Sequence, residues 1–305
     1  MLSFDTLSKQ PRHFRAFTGF TVHEFKELAE TARSDWESFR HTKRVPFADR
    51  IRKEGGGRKL DLPNLEDRLL VFVVWAKVYP TYLFLEYLIG VDESNICRIV
   101  QEFLPILSAT IIIDKSRKKI RSLEELKELI PDLDEVLVDA TEQRIPRPQK
   151  KRARKKYYSG KKKGFTMKTQ IVATRDKIVL HASDSSPGRI HDYRLFKKTE
   201  VPRWLEAHPG ITARLDLGYL GIHKDYPDIS AVLPFKRFRG IPELTRSQKI
   251  HNTKRAKKRM PIENTLANLK KFRVLSDVFR NVKEQYSATF KSVCFLSNFR
   301  TLARS

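Results

Sequence analysis

Two aspartates in this sequence stand where an apolar run stops. Val136-Leu-Val leads into Asp139, and Ile211 to Leu215 leads into Asp216. Both runs read as buried strands. A carboxylate that closes such a strand lands at the edge of a sheet, where ligands bind in α/β folds. A third acid, Glu263, falls in a helical stretch from Met260 to Phe272. Two strand ends and a helix can bring three carboxylates onto a hard divalent cation. Mg²⁺ takes oxygen ligands and keeps several waters, so a few carboxylates plus a substrate phosphate suffice. Two such ions about 4 Å apart, with Mn²⁺ able to replace Mg²⁺, would clamp the attacking and leaving oxygens of a phosphoryl transfer. Taken singly, each acid has a plainer reading as a strand-terminal or helix-capping residue. Their order and context favour a site.

Around these acids stand candidate supporting groups. Arg259, Glu263 and Lys270 recur at intervals of four and seven on one helix face, which suits a carboxylate site that grips phosphodiesters, or else a solvated salt-bridged face. Asp192 is the rival to Asp216. It follows His191 in the first turn of a helix expected near Ile190 to Lys198, where the helix dipole favours an acid. It is assigned a supporting role, and His191 a structural one.

Charge names the partner. Lys and Arg number 61 against 36 Asp and Glu, for a net charge of +25 and a pI near 10.1. Such a surplus fits a polyanion, and double-stranded DNA is the expected one, although a basic targeted or ribosome-associated protein has the same composition. From Gln143 to Arg175 there is no acid, and there are 13 Lys or Arg. The densest part holds Lys150, Lys151, Arg152, Arg154, Lys155, Lys156, Lys161, Lys162 and Lys163. Between two expected strands it would form a long hairpin or loop beside Asp139, and that adjacency favours a DNA-backbone clamp over a merely solvated run. Tyr157 and Tyr158 inside it either stack on an unpaired base or serve as strand residues. A second cluster, Lys254, Arg255, Lys257 and Lys258, leads into Arg259. Cys97 and Cys294 offer no disulfide framework and no cysteine zinc finger, which points to a reducing compartment. The longest strong apolar run, Leu69 to Ala76, is too short to span a membrane. The start of the chain lacks an apolar signal region. A soluble protein is expected, cytoplasmic and nucleoid-associated in a bacterium, nuclear in a eukaryote.

These residues need elements to position them. Residues 1–60 read as a basic helical segment, with a capping box from Thr21 to Glu24 and Phe25, Leu28, Ala32, Trp36 and Phe39 at helical spacing. Gly55, Gly56 and Gly57 mark a hinge or a plain surface loop. Residues 61–130 form a helix-turn-helix-like domain: a helix from Leu65 to Lys77, a second capped by Thr81, and a third capped by Asp92 after the turn at Gly90. The exposed face of that third helix offers Glu93, Ser94, Asn95, Arg98 and Glu102, which is not a basic face. Base reading and a packing or dimer role therefore both stay open. Ser122 and Glu125 open a short helix to Ile130. Residues 131–305 then read as strands at 135–139, 165–173 and 177–182, a helix, strands at 211–215 and 229–233, and the Glu263 helix. This α/β order of strand, strand, strand, helix, strand, short helix, strand, helix is that of an RNase H-like mixed-sheet domain, preceded here by an all-helical domain.

Five segments carry a resemblance: VLVDAT at 136–141, YSGKKK at 158–163, PGRIHDYRLF at 187–196, RLDLGY at 214–219 and IENTLANLKKFRVL at 262–275. Together they resemble the DDE transposases of bacterial insertion sequences and the related Harbinger-like elements, over about residues 60–300. The resemblance implies that Asp139, Asp216 and Glu263 are the catalytic metal ligands. It implies supporting roles for Arg259, Lys270 and Tyr219, the last residue of the Asp-x-Gly-Tyr motif. It also implies cleavage at terminal inverted repeats and joining to target DNA, by a homo-oligomer assembled on DNA. Asp216 and Glu263 lie 47 residues apart, which leaves no room for a large inserted domain. The sequence departs from related enzymes at Ala256, where a tyrosine is common, and at Ala140, where Harbinger-like members carry glycine. A DNA-binding protein without catalysis, and an RNase H-like nuclease without strand joining, are the competing functions.

Overall fold

A computed structural model describes residues 2–42, 61–113, 119–125, 130–237 and 243–304. The glycines at 55–57, and the end of the expected helix after Ser122, lie outside these residues.

The N-terminal half is helical because its caps and apolar spacing agree. Helices α1 (Phe4–Ser8), α2 (Pro11–Thr18) and α3 (Val22–Thr42) are followed by α4 (Leu65–Val78), α5 (Tyr82–Ile89) and α6 (Glu93–Ser108). Thr21 and Glu24 exchange backbone-to-side-chain hydrogen bonds as a capping box. Thr81 and Asp92 cap α5 and α6, and Gly90 ends α5 with a left-handed φ of 77°. Helix α4 is apolar nearly all round, so it is buried nearly all round, from Leu69 to Ala76. Glu102 of α6, expected on an exposed face, instead accepts from the Trp36 indole and the Arg68 guanidinium. It is a packing residue, because a buried arginine requires a charged partner.

Strands β1 (Ile112–Ile113) and β2 (Lys119–Ile120) pair with each other. The main sheet follows: β3 (Glu135–Arg144), then α7 (Lys151–Tyr157), β4 (Tyr158–Ser159), β5 (Gly164–Ala173), β6 (Val179–Ala182), β7 (Ser186–Pro187), α8 (Asp192–Phe196), α9 (Val201–Glu206), β8 (Thr212–Arg214), α10 (Ile222–Asp225) and β9 (Ala231–Val232). Helices α11 (Arg246–Lys270) and α12 (Tyr286–Leu302) complete the chain. β5 is antiparallel to β3 and carries β6 and β7, while β8 and β9 add to β3 in parallel.

Three expectations need correction. β3 continues five residues past Asp139, because its antiparallel ladder with β5 persists to Arg144. The basic segment is a helix over Lys151–Tyr157 rather than a loop, since it lacks glycine and proline and is rich in straight-chain residues. The Glu263 helix starts at Arg246, where Thr245 and Gln248 form a capping box that the periodicity of apolar residues does not reveal.

The sheet buries both faces. Leu137, Met167 and Ile171 join one core with α1–α6, α11 and α12. Val136, Val138 and Val172 face a second core with Phe196, Trp204 and Tyr219. Asn298 of α12 fixes the sheet against the helical layer: it accepts from the Val179 N–H and donates to the carbonyls of Val179 and Ile111. Replacing Asn298 by leucine, which keeps the volume, strands these buried backbone groups and should cost about 2–3 kcal/mol. Urea unfolding measures it, and an unchanged midpoint would contradict this role.

Candidate active site

Register brings the two strand aspartates together. β3 and β8 are parallel, with Leu137 opposite Arg214. Two residues further along both chains stand Asp139 and Asp216, and neighbouring strands lie about 4.8 Å apart. Past Arg214 the backbone turns into a single 3₁₀ turn, Leu217–Tyr219, and the Asp216 carboxylate caps it by accepting from the Gly218 N–H at 2.8 Å. Gly218 is a steric requirement. A Cβ there would stand 2.8 Å from Asp216 Oδ1 and 3.3 Å from Asp192 Oδ2. The glycine of the Asp-x-Gly-Tyr motif thus lets two carboxylates close on one point.

Asp192, at the start of α8, accepts from Lys168 Nζ at 2.7 Å. Lys168 is buried in β5. It also donates to the Ile190 carbonyl at 2.7 Å and lies 3.4 Å from Glu142, whose other oxygen accepts from Thr166. Sequence reasoning passed over Lys168, Glu142 and Gln170. The signal was present in β5, where Thr166, Lys168 and Gln170 alternate with Met167 and Ile171, a polar face on a strand that is buried on both sides.

Asp139 is the most perturbed acid. Burial pushes its carboxyl up to about 6, and the charges of Asp216 and Asp192 add to the rise. The Arg259 guanidinium and the Ala140 N–H oppose it. Arg259 Nη2 is 3.4 Å from Asp139 Oδ2, while its Nε is buried without a partner. Tyr219 is fully buried and donates to Gln170 Oε1 at 3.4 Å. Its phenol is pushed up by burial and by the same three aspartates.

Glu263 stands apart. It is exposed on α11, one turn beyond Arg259, with no hydrogen bond or ion pair among the described residues. No three Asp, Glu, His or Cys side chains form a ready metal cage among those residues. Lys270 is within reach of the centre. Its ammonium is lowered by partial desolvation and by Lys162, with Asp139 pulling the other way. The basic segment therefore folds back beside the acids. Lys150, Lys151, Arg152, Lys155, Lys156, Lys161, Lys162 and Lys163 are exposed, as are Lys254, Lys257 and Lys258. Arg154 is half-buried. Arg255 has a structural contact: it donates to the Leu233 carbonyl and stacks on Phe235. Tyr157 lies against Lys156 and Lys283, whereas Tyr158 is exposed and meets Phe165 edge-on.

A carboxyl raised by burial destabilises the fold once it ionises. Its folded value of about 6 exceeds its ordinary 3.8, so the cost is absent below pH 4 and complete above about pH 7. In metal-free buffer, Asp139→Asn should be about 2–3 kcal/mol more stable than the parent at pH 8. The two should converge as pH falls through 6 toward 4. Thermal unfolding across that range tests this, and a less stable variant at pH 8 would contradict it.

Comparison with known proteins gives the family of the chain. Residues 138–298, more than half of the chain, match the family model described as DDE superfamily endonuclease. The chain is 29% identical over 279 residues to a probable transposase for insertion sequence element IS702 of Microchaete diplosiphon, covering 92% of this chain and 95% of that protein. It is 24% identical over 271 residues to a putative transposase for insertion sequence element IS112 of Streptomyces albus G, covering 88% of each. No solved structure matches. The chain belongs to the DDE superfamily endonucleases.

Proposed function

We propose that this protein is a transposase that binds the ends of its mobile element, cuts the DNA there and joins the freed 3′-hydroxyl to target DNA. The observation that carries the reading is the pair Asp139, on β3, and Asp216, two residues past the end of the parallel strand β8, with Asp192 beside them and two basic segments flanking them. The strand order supports an RNase H-like catalytic domain. In chain order β3, β5 and β6 are each antiparallel to the next, and β8 then β9 extend the other edge in parallel. Helices α4–α6 would supply a helix-turn-helix-like unit, and a homo-oligomer would hold two element ends.

The donor set fits a divalent cation. Burial raises Asp139 to about 6, and the nearby charges of Asp216 and Asp192 add repulsion that a hard cation would relieve; Mg²⁺ needs few carboxylates when water and phosphate complete its shell. Asp139 and Asp216 would hold it, with Glu263 reaching in from α11. When bound, the ion neutralises charge on the phosphoryl oxygens in both cutting and joining. The protein's own groups do the rest. Arg259 steers Asp139 through Nη2. Lys168 fixes Asp192 against Gly218, and Tyr219 closes the floor against water. The exposure of Glu263 favours one second reading, in which Asp192 is the third acid of the centre.

Asp216→Asn should lower strand cleavage in Mg²⁺ at least about a hundredfold, a loss of the size seen when charge stabilisation is removed, and should leave duplex binding intact. Full cleavage by this variant would contradict the assignment. Comparing Glu263→Gln with Asp192→Asn separates the two readings, since the true third acid gives the larger loss. Incubation with element ends, a target plasmid and Mg²⁺ separates the functions: cut and joined products indicate a transposase, cut products alone a nuclease, a shifted band alone a binder. Neutralising Lys150 to Lys156 should weaken binding to all duplexes alike and flatten its salt dependence; unchanged affinity and slope would remove the clamp.

A further inference from the structure

Away from the acids, a cavity of about 630 Å³ is lined by Arg15, Lys77, Lys177, Lys271, Arg300 and Arg304, with Gly19 and Asn268 among its other walls. These six cations come from five separate places: α2, the end of α4, the turn before β6, the end of α11, and the α12 end of the chain. Such convergence is costly unless something negative fills the space. The protein supplies little. Arg304 is neutralised by Glu24, at 2.7 and 3.0 Å. Among the described residues, no ion pair joins Arg15, Lys77, Lys177, Lys271 or Arg300 to an acid.

Arg300 is only 8% exposed, and its guanidinium lies 5.4 Å from the Phe272 ring, which also receives Lys77 at 5.6 Å. Burial lowers both cations, and further positive charge lowers them more: Arg300 acts on Lys77, and Arg304 and Arg15 on Arg300, with Glu24 pulling Arg300 the other way. Lys77 is anchored by donating to the Lys271 carbonyl at 2.7 Å. The cavity wall is thin at the turn of Gly19, φ 82°, where a Cβ would meet Arg300 at 3.5 Å and Lys77 at 3.6 Å. Lys177 holds a left-handed φ of 68°, where glycine would be less strained.

We propose that this cavity is a phosphate-binding site for the backbone of bound DNA, separate from the acidic centre. It rests on the part of the proposed function that has this protein bind DNA. α11 links the two places. Lys270 lies within electrostatic reach of Asp139 and Lys162, while its neighbour Lys271 lines the cavity. From Arg259 to Asn268 the helix advances about 14 Å, less than half a turn of duplex at about 34 Å per turn. One stretch of DNA is long enough to meet both.

The test uses the full chain, a labelled duplex and no divalent metal. Lys177→Gln with Lys271→Gln removes two exposed cavity charges that have no acid partner among the described residues. Lys9→Gln with Lys26→Gln removes two exposed charges elsewhere and serves as the control for net charge. The cavity pair should lower the log–log salt slope of duplex binding by about 1.8, since two phosphates are no longer neutralised, and the control pair by much less. Equal slopes for the two variants would overturn the proposal. Inorganic tripolyphosphate separates the sources. If it raises the melting temperature of the parent and not of the cavity variant while the two duplex slopes match, the cavity takes free polyphosphate and the DNA assignment falls. Binding is read without cleavage. A parent that never cuts DNA but shows the slope change removes the transposase reading and leaves this one standing.

Discussion

Carboxylates brought together in a protein interior repel one another, and here Asp139 lies within electrostatic reach of both Asp216 and Asp192. The parallel register of β3 with β8 sets Leu137 opposite Arg214, two residues short of Asp139 and Asp216. Gly218 leaves space for Asp192 to approach. Lys168, buried between Asp192 and Glu142, and Arg259, against Asp139, supply the local positive charge. Burial nevertheless dominates and raises Asp139 to about 6, with the charges of Asp216 and Asp192 adding to it. A raised carboxyl beside a buried arginine nitrogen that has no partner among the described residues marks a candidate functional centre.

Against a chain with a net charge of +25, this acidic centre is an island. The surrounding cations differ in kind. Lys161 to Lys163, Lys254, Lys257 and Lys258 are exposed and unconstrained, as suits contacts that follow a backbone without reading sequence. Arg255 and Lys77 are committed to carbonyls of the protein itself and organise structure as well as field. Counting basic residues along the sequence cannot make that distinction, because it depends on which face each residue presents after folding.

Most of the fold was legible in the sequence. Caps at Thr21, Thr81 and Asp92 and the apolar content of α4 are local signals, and they agree with the packing. What failed was non-local. The end of β3 depends on its ladder with β5, so Asp139 lies within the strand and not at its end. Glu102 reads as a surface acid until Arg68 and Trp36, more than 30 residues earlier, come to meet it. In the candidate site, Asp139, Asp216 and Arg259 could be singled out because each lies in a recognisable local stretch of sequence, and the structure places Arg259 against Asp139. Lys168 was hidden inside a long basic run, and its partners Asp192 and Glu142 lie on other elements. The exposed position of Glu263 was not legible at all, since helical spacing fixes its face but not the distance of that face from the sheet.

Everything proposed for the acidic centre turns on Asp139 and Asp216 holding a divalent cation. Loading the protein with Fe²⁺ in place of Mg²⁺ and adding ascorbate and peroxide generates radicals that cut the polypeptide next to the bound ion. Cuts close to residues 139 and 216 are expected, and the relative yields near 192 and 263 report which further acid joins them. Cuts confined to other parts of the chain, or cuts at 139 and 216 that persist when both aspartates are changed to asparagine, would contradict a cation held there.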